Sequence, residues 1–222
     1  TRKAVRTAAC CRSGARKGRP RPTVACPWSK RRREAQLRKL RALVEATPAS
    51  EPVVYEDEVD IHLNPKVGAD WMLPGRQKRV MTPGQNQKRY VAGALDARDG
   101  TVHAVEALRK TSALFIDLLR RLASVAYPSA RRIHVICDNY CIHRSRRVQM
   151  ALEGLGGRVV LHFLPPYCPD ANRIERLWGD LHDNVTRNHR CATIDELMTN
   201  VRRYLRDASP FPGSKPALAK AS

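Results

Sequence analysis

The run H-V-I-C-D-N-Y-C-I-H at residues 134–143 opens on a short apolar stretch and stops on an acid, Asp138. A few apolar residues bounded by polar ones suit a buried strand rather than a helix. A second run, L-P-P-Y-C-P-D-A-N-R-I-E-R-L-W at 164–178, is a Pro-rich loop leading into a helix that carries Glu175. Upstream, V-V-Y-E-D-E at 53–58 is another apolar run ending in acids. Three acids therefore stand at the ends of separate elements. Carboxylates at strand ends require a cation, and hard divalent ions with oxygen ligands fit that need.

Working outward, the pattern alternates strands and helices. Strands are expected over 53–58, 90–95, 101–107, 133–137 and 159–164. The second and third are joined by D-A-R-D-G at 96–100, a tight turn with Gly100 where positive φ is needed, so they form a hairpin. Helices are expected over 29–46, 112–126, 144–155 and 172–185, with Ser29 capping the first. T-I-D-E at 193–196 is a capping box that opens a last helix. Residues 62–86 read as a long irregular ribbon. Trp71 and Trp178 are expected in the core. This order predicts an α/β fold: a mixed sheet flanked by helices. If the strands ending near Asp57 and Asp138 are parallel neighbours, both acids emerge at one sheet edge, where sites in such sheets usually lie.

The chain has 222 residues, 42% of them hydrophobic, and a net charge of +20. Residues 1–41 hold fifteen Lys or Arg and one acid, Glu34, a net +14 that leaves only +6 for the other 181 residues. Such an arm fits a phosphate backbone. Its candidate DNA contacts are Arg16, Lys17, Arg19, Arg21, Lys30, Arg31, Arg32 and Arg33. Within it, K-G-R-P-R-P at 17–22 resembles a minor-groove AT-hook core, in which an extended Gly-Arg-Pro segment enters the groove. Apolar runs are too short for a membrane span. The chain opens T-R-K-A-V-R without Met and reads as a fragment. Seven cysteines (10, 11, 26, 137, 141, 168 and 191) form no C-x-x-C pair. Free thiols in a reducing, cytoplasmic compartment are expected, with a zinc site around Cys137 and Cys141 as the lesser alternative. Three regions are expected: a basic arm and linker helix at 1–50, a catalytic domain at 51–209, and a tail at 210–222.

Three blocks, in order, resemble the DDE transposases of the mariner superfamily, most closely its bacterial insertion-sequence branch. They are E-D-E-V-D-I-H at 56–62, C-D-N-Y-C-I-H at 137–143 and L-P-P-Y-C-P-D-A-N-R-I-E-R-L-W-G at 164–179. The resemblance implies a ribonuclease-H-like fold and metal-dependent DNA strand cleavage and joining. It implies catalytic, metal-holding roles for Asp57, Asp138 and Glu175. The expected cofactor is a pair of Mg²⁺ ions, replaceable by Mn²⁺, with Asp57 bridging both. The expected partner is DNA, at transposon ends and target, bound by a homodimer in the bacterial cytoplasm at the nucleoid. Two departures stand out. Arg173 replaces the proline usual before the Ile-Glu pair, and no clear helix-turn-helix precedes the core. A decayed, non-catalytic DNA-binding remnant and a different ribonuclease-H-like nuclease are the competing readings.

Around the acids, Asn139 and His143 are expected to orient a phosphate or a water. Glu56, Glu58 and Asp60 are expected to face solvent or arginines. Lys78, Arg79, Lys88 and Arg89 are candidate phosphate contacts on the loop side.

Overall fold

A computed structural model describes residues 28–212. Five strands form one mixed sheet: β1 (Val53–His62), β2 (Lys88–Asp96), β3 (Val102–Ala107), β4 (Ile133–Cys137) and β5 (Val159–Phe163). Their spatial order is β3-β2-β1-β4-β5. β1, β2 and β3 form an antiparallel meander, whereas β4 and β5 join parallel to β1. Parallel joins need crossovers, and helices supply them. α2 (Ser112–Arg121) leads into β4, and α3 (Arg146–Gly154) links β4 to β5. α1 (Lys30–Ala46), α4 (Ile174–Leu181) and α5 (Ile194–Asp207) complete the fold.

The period of two along β1 divides the core. Val54 packs with Leu114, Phe115, Leu118 and Val148 under α2 and α3. Val53, Tyr55, Val59 and Ile61 pack with Leu40, Ile174, Leu177, Trp178 and Leu197 under α1, α4 and α5. Each such buried side chain contributes about 1.5–3 kcal/mol. The helix starts follow their caps. The Ser29 hydroxyl accepts the Arg32 N–H, and the Thr193 hydroxyl accepts the Glu196 N–H. In the box at 193–196 the Glu196 carboxylate reaches back to the Ala192 N–H. Gly100 sits at φ 80° in the hairpin turn, as that turn requires.

Several expectations need correction. β1 does not stop at Glu58. Its parallel pairing with β4 ends at Tyr55 opposite Ile136, but its antiparallel pairing with β2 runs on to His62 opposite Lys88. Asp57 is therefore mid-strand, at the level where β4 runs out. The helix expected at 172–185 begins at Ile174, because the Asn172 side chain is buried and donates to the Glu56 carbonyl at 2.8 Å. It widens into a π-helical turn, His182–Thr186, as α2 does over Leu122–Ala126. The helix expected at 144–155 is split. A 3-10 turn, Cys141–Arg144, precedes Ser145, whose hydroxyl caps α3 by accepting the Val148 N–H. Trp178 is core, but Trp71 is 79% exposed. It rides on residues 63–87, a ribbon that builds no strand of its own and is tied to the body partly by the Asn188 side chain at Gly68.

The candidate arm contacts Arg16, Lys17, Arg19 and Arg21, the motif at 17–22, and Cys10, Cys11 and Cys26 lie outside the described residues. Lys30, Arg31, Arg32 and Arg33 form the first turn of α1, with Arg32 stacked 4.1 Å over the Trp28 ring. α1 is docked on the sheet through Leu40 and through Gln36, which donates to the Phe163 carbonyl. Among the described residues no helix is long and apolar enough to cross a membrane.

Candidate active site

Asp57, Asp138 and Glu175 line one cleft of about 600 Å³, walled by the loop from Leu164 to Pro169 and by Asn139, Tyr140 and Asn172. Each acid arrives by a different route. On β1, alternation sends Asp57 to the α4 face and its neighbours Glu56 and Glu58 to the α2 face. Continuing the β1–β4 register by two residues sets Asp138 beside Asp57. Asp138 is the first residue past β4, and its carboxylate accepts the Tyr140 N–H at 2.7 Å, closing a tight turn. Glu175 lies in the first turn of α4. The Asn172 bond to the Glu56 carbonyl fixes that turn beside Asp57. Arg173 caps α4 with φ −65°, the value a proline would impose, and its guanidinium lies 5.3 Å over the Tyr55 ring. The substitution thus keeps the helix start.

The electrostatics differ among the acids. Burial pushes the Asp57 carboxyl up to about 7, and the nearby Glu175 charge adds to the rise. For Asp138 burial also acts upward, but the His143 hydrogen bond, the Tyr140 N–H and nearby positive charge outweigh it, leaving the carboxyl below its ordinary value.

A stability prediction follows for the metal-free chain. Folded Asp57 keeps its proton to about pH 7, whereas the unfolded residue releases it near 3.8. Between those values the native state binds more protons, so stability falls as pH rises through the window. Asp57→Asn removes that dependence. The metal-free variant is expected to be more stable than the parent at pH 8, by roughly 1–3 kcal/mol, and nearly level with it below pH 4. Thermal unfolding in chelator at both pH values checks this, and an advantage independent of pH would contradict it.

Glu56 and Glu58 face neither solvent nor arginine: they are 0% and 7% exposed. Glu58 pairs with Lys110 at 3.3 Å and with His143 at 3.1 Å. Burial and the Glu58 charge hold Glu56 well above the ordinary carboxylate range. These partners come from distant segments, which is why the E-D-E run looked like surface. Asn139 lines the cleft. Its amide nitrogen donates to the Leu164 carbonyl and its oxygen accepts from Arg144, so it ties the Asp138 turn to the loop of the third block. His143 is fully buried and is not part of the cleft lining. On the loop side, Lys78 pairs with Asp70 and Arg89 with Asp195. Sequence reasoning did not single out Asn172 or Lys110. An Asn just ahead of a helix was a signal for the first, and nothing local marked the second.

The thiols are separated. Cys141 is exposed, whereas Cys137 is buried beside His143, so the two do not share a site. Among the described residues, Glu56, Cys137 and His143 place donor atoms within 4.8 Å of one another.

Residues 52–198 match the family model of the DDE superfamily endonucleases. The chain is 49% identical over 189 residues to the insertion element IS630 uncharacterized 39 kDa protein of Shigella sonnei, covering 85% of this chain and 54% of that protein. It thus spans about half the length of that relative. Among solved structures it resembles the Mos1 mariner paired end complex with Mn, at TM-score 0.63 and 16% identity over 88% of this chain and 63% of that one. It also resembles the catalytic domain of Mos1 mariner transposase, at TM-score 0.55 and 16% identity over 86% of this chain and 91% of that one. At such identities the likeness is one of fold. The mixed five-stranded sheet with helices on both faces is ribonuclease-H-like, as in that catalytic domain.

Proposed function

We propose that this chain, which belongs to the DDE superfamily of endonucleases, is the catalytic core of an insertion-sequence transposase that cleaves and joins DNA strands. The observation that carries the reading is that three carboxylates, from β1, from the turn after β4 and from α4, line one cleft of a chain with net charge +20. A cleft meant only to grip DNA would present cations there, not acids.

The donor set fits hard divalent ions. Three carboxylates offer oxygen ligands only, and burial with the Glu175 charge beside it holds Asp57 above its ordinary value, a strain that a bound cation would relieve. Asp57, Asp138 and Glu175 would hold a pair of Mg²⁺ or Mn²⁺ ions. Bound there, the metal would supply a water or 3′-hydroxyl nucleophile at neutral pH and relieve charge on the phosphate oxygens. The chain's own residues set the stage. Asn139 and Asn172 lock the loops that carry Asp138 and Glu175. The loop with Pro165, Pro166 and Pro169 gives the cleft a stiff wall.

The proposed partner is duplex DNA, at transposon ends and at the target, bound by a homodimer since two ends must be held together. The bacterial cytoplasm, at the nucleoid, is the proposed setting. The arm supplies non-specific affinity. Residues 1–27 carry eight Lys or Arg and no acid. Deleting them leaves the docked helix α1 in place, whereas a cut at residue 41 would remove Leu40 from the core. Log affinity for duplex DNA falls by about 0.9 per neutralised phosphate for each decade of salt. The truncated chain is expected to lose several such contacts, so its salt slope flattens. A binding titration between ~50 and ~200 mM salt checks this. An unchanged slope would mean that the arm does not touch DNA.

A further inference from the structure

We propose that His143 is a positioning residue that holds the Asp138 carboxylate from behind the cleft, anchored in turn by Glu58 and Lys110. The inference rests on reading Asp138 as a metal ligand. Four groups form a chain through the protein interior. Lys110 Nζ lies 3.3 Å from one Glu58 oxygen, and the other Glu58 oxygen lies 3.1 Å from His143 Nε2. His143 Nδ1 then lies 3.1 Å from Asp138 Oδ1. The imidazole is fully buried, and its ring packs on Phe115 with centroids 4.4 Å apart.

His143 Nδ1 faces two oxygens of Asp138, the carboxylate Oδ1 at 3.1 Å and the backbone carbonyl at 3.3 Å, so it donates toward that residue, while Nε2 faces Glu58. Asp138 needs such a hold. It has left the sheet, and its side chain is 51% exposed. Packing alone does not fix its rotamer. A hydrogen bond from a rigid, buried donor does, as outer partners of metal-binding carboxylates commonly do. The chain also explains the side-by-side acids of β1. Asp57 faces the cleft, and Glu58, pointing the opposite way, braces the residue that braces Asp138.

The same buried corner offers a rival reading, a structural zinc on Glu56, Cys137 and His143. Against it, both His143 nitrogens already face carboxylates, so the ring has no free nitrogen to turn to a metal.

The test uses the full chain and two substitutions that each keep one half of the contact. His143→Asn places an amide nitrogen near the Nδ1 position, where it can still donate to Asp138. His143→Gln places it near Nε2, where it can donate only to Glu58. Mn²⁺ binding is read from the free-ion electron paramagnetic resonance signal, beside thermal unfolding in chelator. The expected result is Mn²⁺ affinity about ten-fold or more weaker for His143→Gln and within a few-fold of wild type for His143→Asn. Equal affinity in both variants, whether retained or lost, overturns the proposal, as does stoichiometric zinc in the purified protein. Asp138→Asn is measured alongside. If it leaves Mn²⁺ binding unchanged, the ligand reading itself falls and takes the proposal with it. If it weakens binding while His143→Gln does not, the positioning role alone fails. Should neither His143 variant fold, Glu58→Ala decides. It removes the side chain that anchors Nε2, so Mn²⁺ affinity must drop several-fold, and unchanged affinity overturns the proposal.

Discussion

Asp138→Asn is expected to lower divalent-metal-dependent strand cleavage by at least ~10³-fold, while duplex binding stays within a few-fold of wild type. Asp57→Asn and Glu175→Gln should do the same. Each amide keeps nearly the shape of the acid, so packing is spared. Each removes a charge from the cleft that Asp57, Asp138 and Glu175 line together. The reaction places new negative charge on phosphate oxygens, and metal held by these acids is worth several kcal/mol there. A tenfold rate loss corresponds to about 1.4 kcal/mol, so losing one ligand accounts for three decades or more. The variants also separate function from folding. Asp57→Asn should be inactive yet more stable without metal at pH 8, because the acid it replaces is held in a cleft that raises it. A variant that loses activity and stability together would indicate damage to the fold instead.

Gly93→Ala is expected to disable the site without touching an acid. Gly93 on β2 lies directly opposite Asp57 on β1, and the benzo edge of the Trp178 ring, from α4, packs against it. A methyl group there would stand 2.5 Å from the Trp178 ring, closer than atoms can approach. The ring cannot swing out, since Trp178 is 3% exposed among Ile174, Leu177 and Leu181. The helix must therefore shift, and Glu175 lies on the same helix one turn earlier. Overpacking of this kind costs about 1–3 kcal/mol. A displacement near 1 Å at a catalytic group costs on the order of 100-fold in rate. The melting temperature and the cleavage rate of Gly93→Ala should both fall, and a wild-type rate would show that α4 tolerates the shift.

Much of this was legible in the chain, for physical reasons that differ by element. β4 was readable to the residue because its five residues, apolar but for His134, are buried on both faces and bounded by charge. The hairpin was readable because Gly100 marks its turn, and α5 because its cap is written locally in Thr193 and Glu196. β1 was cut short because Glu56, Glu58 and Asp60 look like surface, and His143 and Lys110, the partners of Glu56 and Glu58, lie far along the chain. Trp71 was misplaced because size argues for burial, while the ribbon at 63–87 offers no second layer to cover it. The positions of Asp57, Asp138 and Glu175 were readable from their blocks. What holds them was not, since Asn139, Asn172 and His143 act through bonds that span up to 116 residues of sequence.

Whether the three acids make a metal-dependent DNA-cutting site is tested most directly by nicking of duplex DNA by the purified chain. Supercoiled plasmid and a linear duplex bearing the insertion element's end would be incubated with Mg²⁺, with Mn²⁺ and with chelator, using wild type and the three amide variants. Nicks are expected in either metal, none in chelator, and none above background for Asp57→Asn, Asp138→Asn or Glu175→Gln on DNA that each demonstrably binds. Nicking that persists in chelator, nicking that any one amide variant retains, or no nicking by wild type on DNA it binds would contradict it.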